Sequence, residues 1–281
     1  MYILDPKDVL AYQKEHHAIL IDARGGPDAY ARYISAHAEG AYFVDLESQL
    51  SEKSVNAARG GRHPLPDMKN FGAWLGSFGI TPSTHILVYD DKAGANAAAR
   101  LWWMLKAIGH NAIYVVSGGL DAMAKAGVPI SSSVPEALKP AAPYPVTDSA
   151  IPVVNVEAVI KATQNPDFLV IDVREGYRYR GESEPIDLVA GHIPGAVNVP
   201  FVTNLQADGK FLSPAELASK YREVIGNRNP EHVIVHCGSG VTACHTLLAM
   251  NEAGIEGAKL YVGSWSEWSR NDYPIAVGEK P

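Results

Sequence analysis

The stretch His232-Val233-Ile234-Val235-His236-Cys237-Gly238-Ser239-Gly240-Val241-Thr242 decides how this chain is read. Val233-Ile234-Val235 is a short apolar run of the kind that forms a buried strand. Cys237 follows at once, in a compact loop carrying Gly238 and Gly240. Apolar spacing then predicts a helix over about 241–253, with Gly254 as its stop. A strand, a tight loop and a helix in this order aim successive backbone N–H groups at one sulfur. The helix N-terminus adds a partial positive charge there. Both effects favour the thiolate, which is the nucleophilic form of cysteine.

Working outward, the same alternation recurs. Leu260-Tyr261-Val262 reads as the next strand. Earlier, Ile86-Leu87-Val88-Tyr89 precedes a helical pattern from Ala97 to Ile108 that stops at Gly109, and Ile113-Tyr114-Val115-Val116 follows as a strand. Strand–helix–strand alternation predicts parallel sheets covered by helices, an α/β fold. Ligands of such sheets sit beyond the carboxyl ends of the strands, which is where Cys237 falls.

The chain also repeats itself. Leu20-Ile21-Asp22-Ala23-Arg24 returns as Val170-Ile171-Asp172-Val173-Arg174, and Ala36-His37-Ala38-Glu39-Gly40-Ala41 as Gly191-His192-Ile193-Pro194-Gly195-Ala196. His85-Ile86-Leu87-Val88-Tyr89-Asp90 returns as His232-Val233-Ile234-Val235-His236-Cys237. Three segments in one order imply a tandem duplication, with a period too long for a solenoid. The expected domains are residues 1–130 and 151–281, joined by a Pro- and Ser-rich linker over 131–150 that runs extended across the surface. Asp90 stands where the second half has Cys237, so the first half lacks the thiol and is expected to close the site from the other side.

Composition narrows the function. With 281 residues, 47% of them hydrophobic and 20% charged, the chain is an ordinary globular protein of two domains. Two cysteines make no disulfide framework, and a reactive thiol suits a reducing, cytoplasmic setting. The N-terminus does not read as a secretion signal, and no apolar run approaches the roughly 18 residues of a membrane span. A net charge of -7 argues against nucleic acid as a partner, although a local pocket can still be basic. No metal and no organic cofactor is implied; the spacing of Cys237 and Cys244 is not that of a usual metal site.

The repeated halves and the Cys237 loop resemble the rhodanese-type sulfurtransferases over nearly the whole chain. The implied fold is two tandem rhodanese-like domains, with the active cysteine only in the second. The loop Cys237-Gly238-Ser239-Gly240-Val241-Thr242 resembles the 3-mercaptopyruvate branch. The thiosulfate branch usually has Arg and Lys where Gly238 and Ser239 stand. Gly263-Ser264-Trp265-Ser266-Glu267-Trp268 is a further family-like segment. The resemblance implies that Cys237 takes a sulfur atom from a small anionic donor. It holds that sulfur as a persulfide and passes it to a thiol, to cyanide or to a thioredoxin-like protein. Thiosulfate is the alternative donor, and a non-catalytic sulfur carrier the alternative role. The residues it assigns to substrate binding are Arg178 and the loop positions Gly238, Gly240, Val241 and Thr242. Ser239 matches a serine that helps move the donor's proton. His63, in Gly60-Gly61-Arg62-His63-Pro64, and the acidic Glu47 match its partners, both placed in the first domain. One departure stands out: where mercaptopyruvate enzymes carry a second arginine, this chain has Ile186 in Glu184-Pro185-Ile186-Asp187. Either Arg178 binds the donor with backbone help, or Arg180 or Arg62 contributes.

Other readings of these residues point to structure. Cys244 reads as core on the buried side of its helix. His37 and His192 are duplicated although only one half can react, which favours a structural role; so do the duplicated Asp22/Arg24 and Asp172/Arg174. His236 should point away from Cys237, because strand neighbours alternate. A phosphatase of this fold would need an arginine six residues after its cysteine, and Ala243 stands there.

Overall fold

The computed structural model describes residues 1–146 and 152–281; the last residues of the expected linker, 147–150, lie outside them. The chain forms two compact units. Among the described residues, the first gathers 1–52, 65–146 and 207–211, and the second 53–64, 152–206 and 212–281.

In the first unit the strands are β1 (Ile3–Leu4), β2 (Ile19–Arg24), β3 (His37–Ala38), β4 (Tyr42–Asp45), β5 (Ile86–Tyr89), β6 (Ile113–Val116) and β7 (Ile130–Ser131). The main sheet has the order β1-β6-β5-β2-β4, and β3 pairs with β7 in a small antiparallel ribbon. The second unit contributes β8 (Val153–Val154), β9 (Leu169–Asp172), β10 (Ala196–Asn198), β11 (Val233–His236) and β12 (Lys259–Tyr261), in the order β10-β9-β11-β12-β8. If β1, β6, β5, β2 and β4 are matched with β8, β12, β11, β9 and β10, the two orders are the same. Every pairing within both five-stranded sheets is parallel. The fold is α/β, two similar units with parallel sheets flanked by helices.

Register carries the duplication to single residues. Asp22 lies opposite Tyr89 across β2 and β5, and Asp172 lies opposite His236 across β9 and β11. The Arg24 fork meets Asp22 at 2.7 Å through both Nε and Nη2, and donates to Ala36 O. Arg174 does the same to Asp172 and donates to Gly191 O. These pairs are almost fully buried. Losing one partner would strand a charge in the interior at a cost of about 3–5 kcal/mol. His37 stacks on Tyr33 and its Nδ1 bonds Tyr33 O; His192 stacks on Tyr179 and its Nδ1 bonds Tyr179 O. The duplicated residues therefore brace each unit.

The helix Thr242–Glu252 follows β11 and is buried all round from Ala243 to Met250. Small and apolar residues make that possible. Its polar members find partners: Asn204 reaches both His245 and Thr246, and the Cys244 thiol donates to Gly240 O. The stretch after β7 runs along the helix Met68–Ser77, where Ala141 N–H donates to Gly76 O and Tyr144 N–H to Gly72 O. Among the described residues, no helix is long and apolar enough to cross a membrane.

Candidate active site

Cys237 sits immediately beyond the carboxyl end of β11, between β9 and β12 in the sheet, and is 3% exposed. Its backbone is fixed from the C-terminal segment. Its N–H donates to Ser264 Oγ; its carbonyl accepts from Trp265 N–H, and the Gly238 carbonyl accepts from Ser266 N–H at 2.8 Å. Gly240 has φ +73°, and a Cβ there would lie 2.6 Å from Val262 O, so only glycine lets the loop close against the end of β12. Val241 then caps the helix and Thr242 begins it. Val241 supplies no side-chain cap to the first-turn N–H groups.

The first unit has a related turn, two residues longer, between its strand and helix. Asp90 stands at the end of β5, as Cys237 does at the end of β11. Its carboxylate accepts from the backbone N–H groups of Lys92, Gly94, Asn96 and Ala98 at 2.8, 2.7, 3.0 and 3.3 Å. Burial pushes this carboxyl up to about 6, although the four N–H groups pull the other way. A strand–loop–helix turn in this family of shapes thus converges donors on an anion at this position. The second unit puts sulfur there instead.

Residues 53–64 precede the second repeat in sequence but pack into the second unit. Gly60 N–H donates to Glu267 Oε1 at 2.7 Å, Arg62 N–H donates to Ser266 Oγ, and Asn271 Nδ2 donates to Ala58 O. Tyr261 O–H donates to the other Glu267 oxygen. Gly61 has φ +81°, and a Cβ on it would meet Gly263 O at 2.5 Å. The segment Gly263–Trp268 therefore serves as the seat of the Gly60–His63 loop.

That seat brings His63 to Ser239: His63 Nδ1 and Ser239 Oγ share a hydrogen bond of 2.7 Å. Ser239 is buried and lies two residues beyond Cys237. His236 lies behind the loop, fully buried. Its Nδ1 donates to the Cys237 carbonyl, and its Nε2 is 3.8 Å from Asp172. Burial pushes its pKa down, although the Asp172 carboxylate pulls the other way. Asp172 is pushed up by burial but held below the usual carboxylate range by Arg174 and His236.

Arg178 also reaches the loop: its Nη2 lies 3.4 Å from where a Gly238 Cβ would be. Its fork is already engaged. Nε and Nη2 donate to Glu184, Nη1 donates to Glu175, and the side chain is only 7% exposed. Burial alone would lower its pKa, and the Glu184 carboxylate more than reverses that. Glu184 further accepts from the backbone of Ile186 and Asp187, so it shapes the turn where Ile186 lies exposed. Arg180 points elsewhere and pairs with Glu182 at the surface. Arg62, which sequence reading offered only as one of two substitutes, donates to both oxygens of Asp187 beside the loop. Arg270, which sequence reading missed, donates to Asp187 as well. Glu47 is exposed on the turn after β4, in the first unit.

The site is thus one thiol on the strand–loop–helix turn of the second of two similar α/β units. The chain belongs to the family described as the rhodanese-like domain, which it matches over residues 5–126 and 155–271, and it is an enzyme of that sulfurtransferase class. It is 36% identical to the "Probable 3-mercaptopyruvate sulfurtransferase" of Pseudomonas aeruginosa, over 99% of this chain and 98% of that protein. It is 35% identical to the thiosulfate sulfurtransferase of Rattus norvegicus, over 89% and 83% of the two chains. Among solved structures, the 3-mercaptopyruvate sulfurtransferase from Leishmania major superposes with a TM-score of 0.83 at 30% identity, over 96% of this chain and 74% of that one.

Proposed function

We propose that the protein moves a sulfur atom from 3-mercaptopyruvate to a thiol, cyanide or thioredoxin-like acceptor through a persulfide on Cys237. The observation that carries this reading is the hydrogen bond between His63 and Ser239, two residues from Cys237. Mercaptopyruvate differs from thiosulfate in carrying a proton on the sulfur to be transferred, and a serine–histidine pair is a means to move it.

In the first step the Cys237 thiolate attacks the donor sulfur. A sulfur–sulfur bond forms, the donor's carbon–sulfur bond breaks, and its electron pair stays on carbon as the enolate of pyruvate. The donor's thiol proton passes by way of Ser239 and His63 to that carbon, giving pyruvate. The Cys237 persulfide keeps the negative charge, in the position where the first unit's loop holds the Asp90 carboxylate. Backbone donors of Gly238, Gly240, Val241 and Thr242 are assigned to stabilise it. In the second step the acceptor attacks the outer sulfur, the sulfur–sulfur bond breaks, and the Cys237 thiolate returns. Arg178 and its neighbours attract the donor's anionic end. Glu47 is assigned to support the proton transfer, and a reducing, cytoplasmic setting would keep the thiol free.

Thiosulfate is a second reading, favoured by one observation: Ile186 supplies no second guanidinium for a carboxylate. The test is intact-mass spectrometry of the reduced protein after brief exposure to each donor, with Cys237→Ser as the control. Gain of one sulfur from mercaptopyruvate, lost in Cys237→Ser, supports the first reading. Gain from thiosulfate alone replaces it with the second. Repeated turnover with cyanide separates an enzyme from a carrier that loads once and stalls.

A further inference from the structure

We infer that Arg62 is the second guanidinium of the donor site, and that Asp187 occupies it until the donor's carboxylate arrives. The inference deepens the proposed reading and rests on it for the identity of the donor. Three arginines surround the Asp187 carboxylate, whose side chain is wholly buried. Arg270 Nη1 is at 2.8 Å, Arg62 Nε and Nη2 are at 3.1 and 3.3 Å, and Arg178 Nη2 is at 3.6 Å. Arg178 is shared with Glu184 and Glu175, and Arg270 also donates to Ser266 O. Arg62 holds Asp187 by the longer bonds and keeps the most surface of the three, 26% of its side chain against 19% and 7%.

Its place relative to the sulfur is equally specific. Arg62 Nη2 lies 3.0 Å from the position a Cβ on Gly238 would occupy. Gly238 adjoins Cys237, so the missing side chain leaves room for a guanidinium beside the nucleophile. The backbone under Arg62 is anchored at Ser266 and, two residues earlier, at Glu267. The charge is therefore brought to the loop by a pinned segment. When Arg62 turns to a donor, Asp187 keeps Arg270 and Arg178, so it is not left as an unpaired buried charge. A planar fork suits a carboxylate, which accepts two parallel hydrogen bonds. Ile186 thus leaves no gap in the chemistry, because the cation arrives from residue 62.

The test compares alkylation of Cys237 by iodoacetate and by its neutral isostere iodoacetamide, in the wild type, Arg62→Ala and Arg62→Lys. Loss of a charged hydrogen-bond partner should lower the iodoacetate-to-iodoacetamide rate ratio about tenfold in Arg62→Ala. The iodoacetamide rate should hold, and Arg62→Lys should recover part of the ratio. With 3-mercaptopyruvate, Arg62→Ala should raise KM more than it lowers kcat. An unchanged ratio overturns the inference. So does an equal slowing of both reagents, which would make Arg62 a strut for the loop. If Arg62→Ala fails to fold, Arg62→Gln carries the same comparison. Failure of the wild type to gain sulfur from mercaptopyruvate would defeat the donor assignment alone, because the alkylation ratio reads the anion site without any turnover.

Discussion

Replacing Gly61 by alanine should disable the site from a residue that bears no chemistry. Two costs arise. The first is conformational: Gly61 has φ +81°, where an L side chain costs about 1–2 kcal/mol. The second is a collision, since the new Cβ would lie 2.5 Å from Gly263 O and 2.9 Å from Ser266 Oγ. Carbon–oxygen contacts normally begin at about 3.3 Å, so the loop must lift from its seat by about 0.8 Å. His63 and Arg62 ride on that loop, and a displacement near 1 Å costs catalysis up to about a hundredfold. The expected loss in kcat/KM with 3-mercaptopyruvate is therefore about tenfold to a hundredfold. Gly60→Ala is the matched control. Its φ is +78°, so it bears the same backbone cost, but its Cβ would meet only Pro64 Cβ at an ordinary 3.6 Å. Steady-state kinetics of both variants, with thermal melts alongside, separates the two effects. Both should lose stability, and only Gly61→Ala should lose most of its turnover. Equal losses of kcat/KM would mean that the left-handed backbone, not the collision with Gly263, controls the site.

Two further outcomes are expected. Ser239→Ala and His63→Gln should each lower kcat with 3-mercaptopyruvate about a hundredfold, a common size for general acid–base catalysis, and should barely affect sulfur transfer from thiosulfate, which has no thiol proton to move. Glu47→Gln belongs in the same series, and equal effects on both donors would argue against a proton-transfer role for all three. The second outcome concerns Asp90. Its carboxyl lies at about 6 in the folded chain against 3.8 ordinarily, so between these values the folded protein keeps a proton that the unfolded chain has released. Stability from this group is present at the acid end and is lost as pH rises through the window, by about 3 kcal/mol in all. Hydrogen exchange of the helix Ala97–Ala107, compared with Asp90→Asn at pH 4 and pH 7, measures this directly. A difference independent of pH would refute the assignment.

Much of the architecture was legible because the relevant signals are local. A β-branched run, a glycine-bearing loop and an apolar helix need only a few adjacent residues to declare themselves, and the duplication then placed Asp22 and Asp172, or His37 and His192, in corresponding roles. The site was less legible where it depends on chain order being broken. Residues 53–64 precede the second repeat, yet they pack into the second unit through Glu267, Ser266 and Asn271. No periodicity announces such a pairing; the available signal was the polar Ser264–Glu267 segment opposite a Gly-Gly turn. Arg178 shows the same limit in electrostatic form. The sequence offers a guanidinium near a substrate loop, but Glu184 lies close enough to engage it, and only geometry decides which carboxylate wins.

The two halves of the chain carry one physical device with two occupants. At the end of β5 the loop closes on a carboxylate, and four N–H groups satisfy it. At the end of β11 the helix begins without a side-chain cap, and Cys237 stands where that carboxylate would be. A carboxylate fixed in the cradle accepts from the N–H groups around it and so supports a helix start, but it forms no covalent bond there. A thiolate in the same place is an anion that leaves by forming a bond, and a persulfide restores the charge one atom further out. Cys in place of Asp, on a loop two residues shorter, exchanges a residue that caps a helix for one that can form a bond. What the second unit adds lies around the loop rather than in it: His63 bonded to Ser239, which the proposed function uses for the proton, and Arg62 bonded to Asp187, which we infer serves the donor's charge. His63 and Arg62 both arrive on one short segment, residues 53–64, so the proton and the charge that the proposed function needs are brought to Cys237 by the same piece of chain.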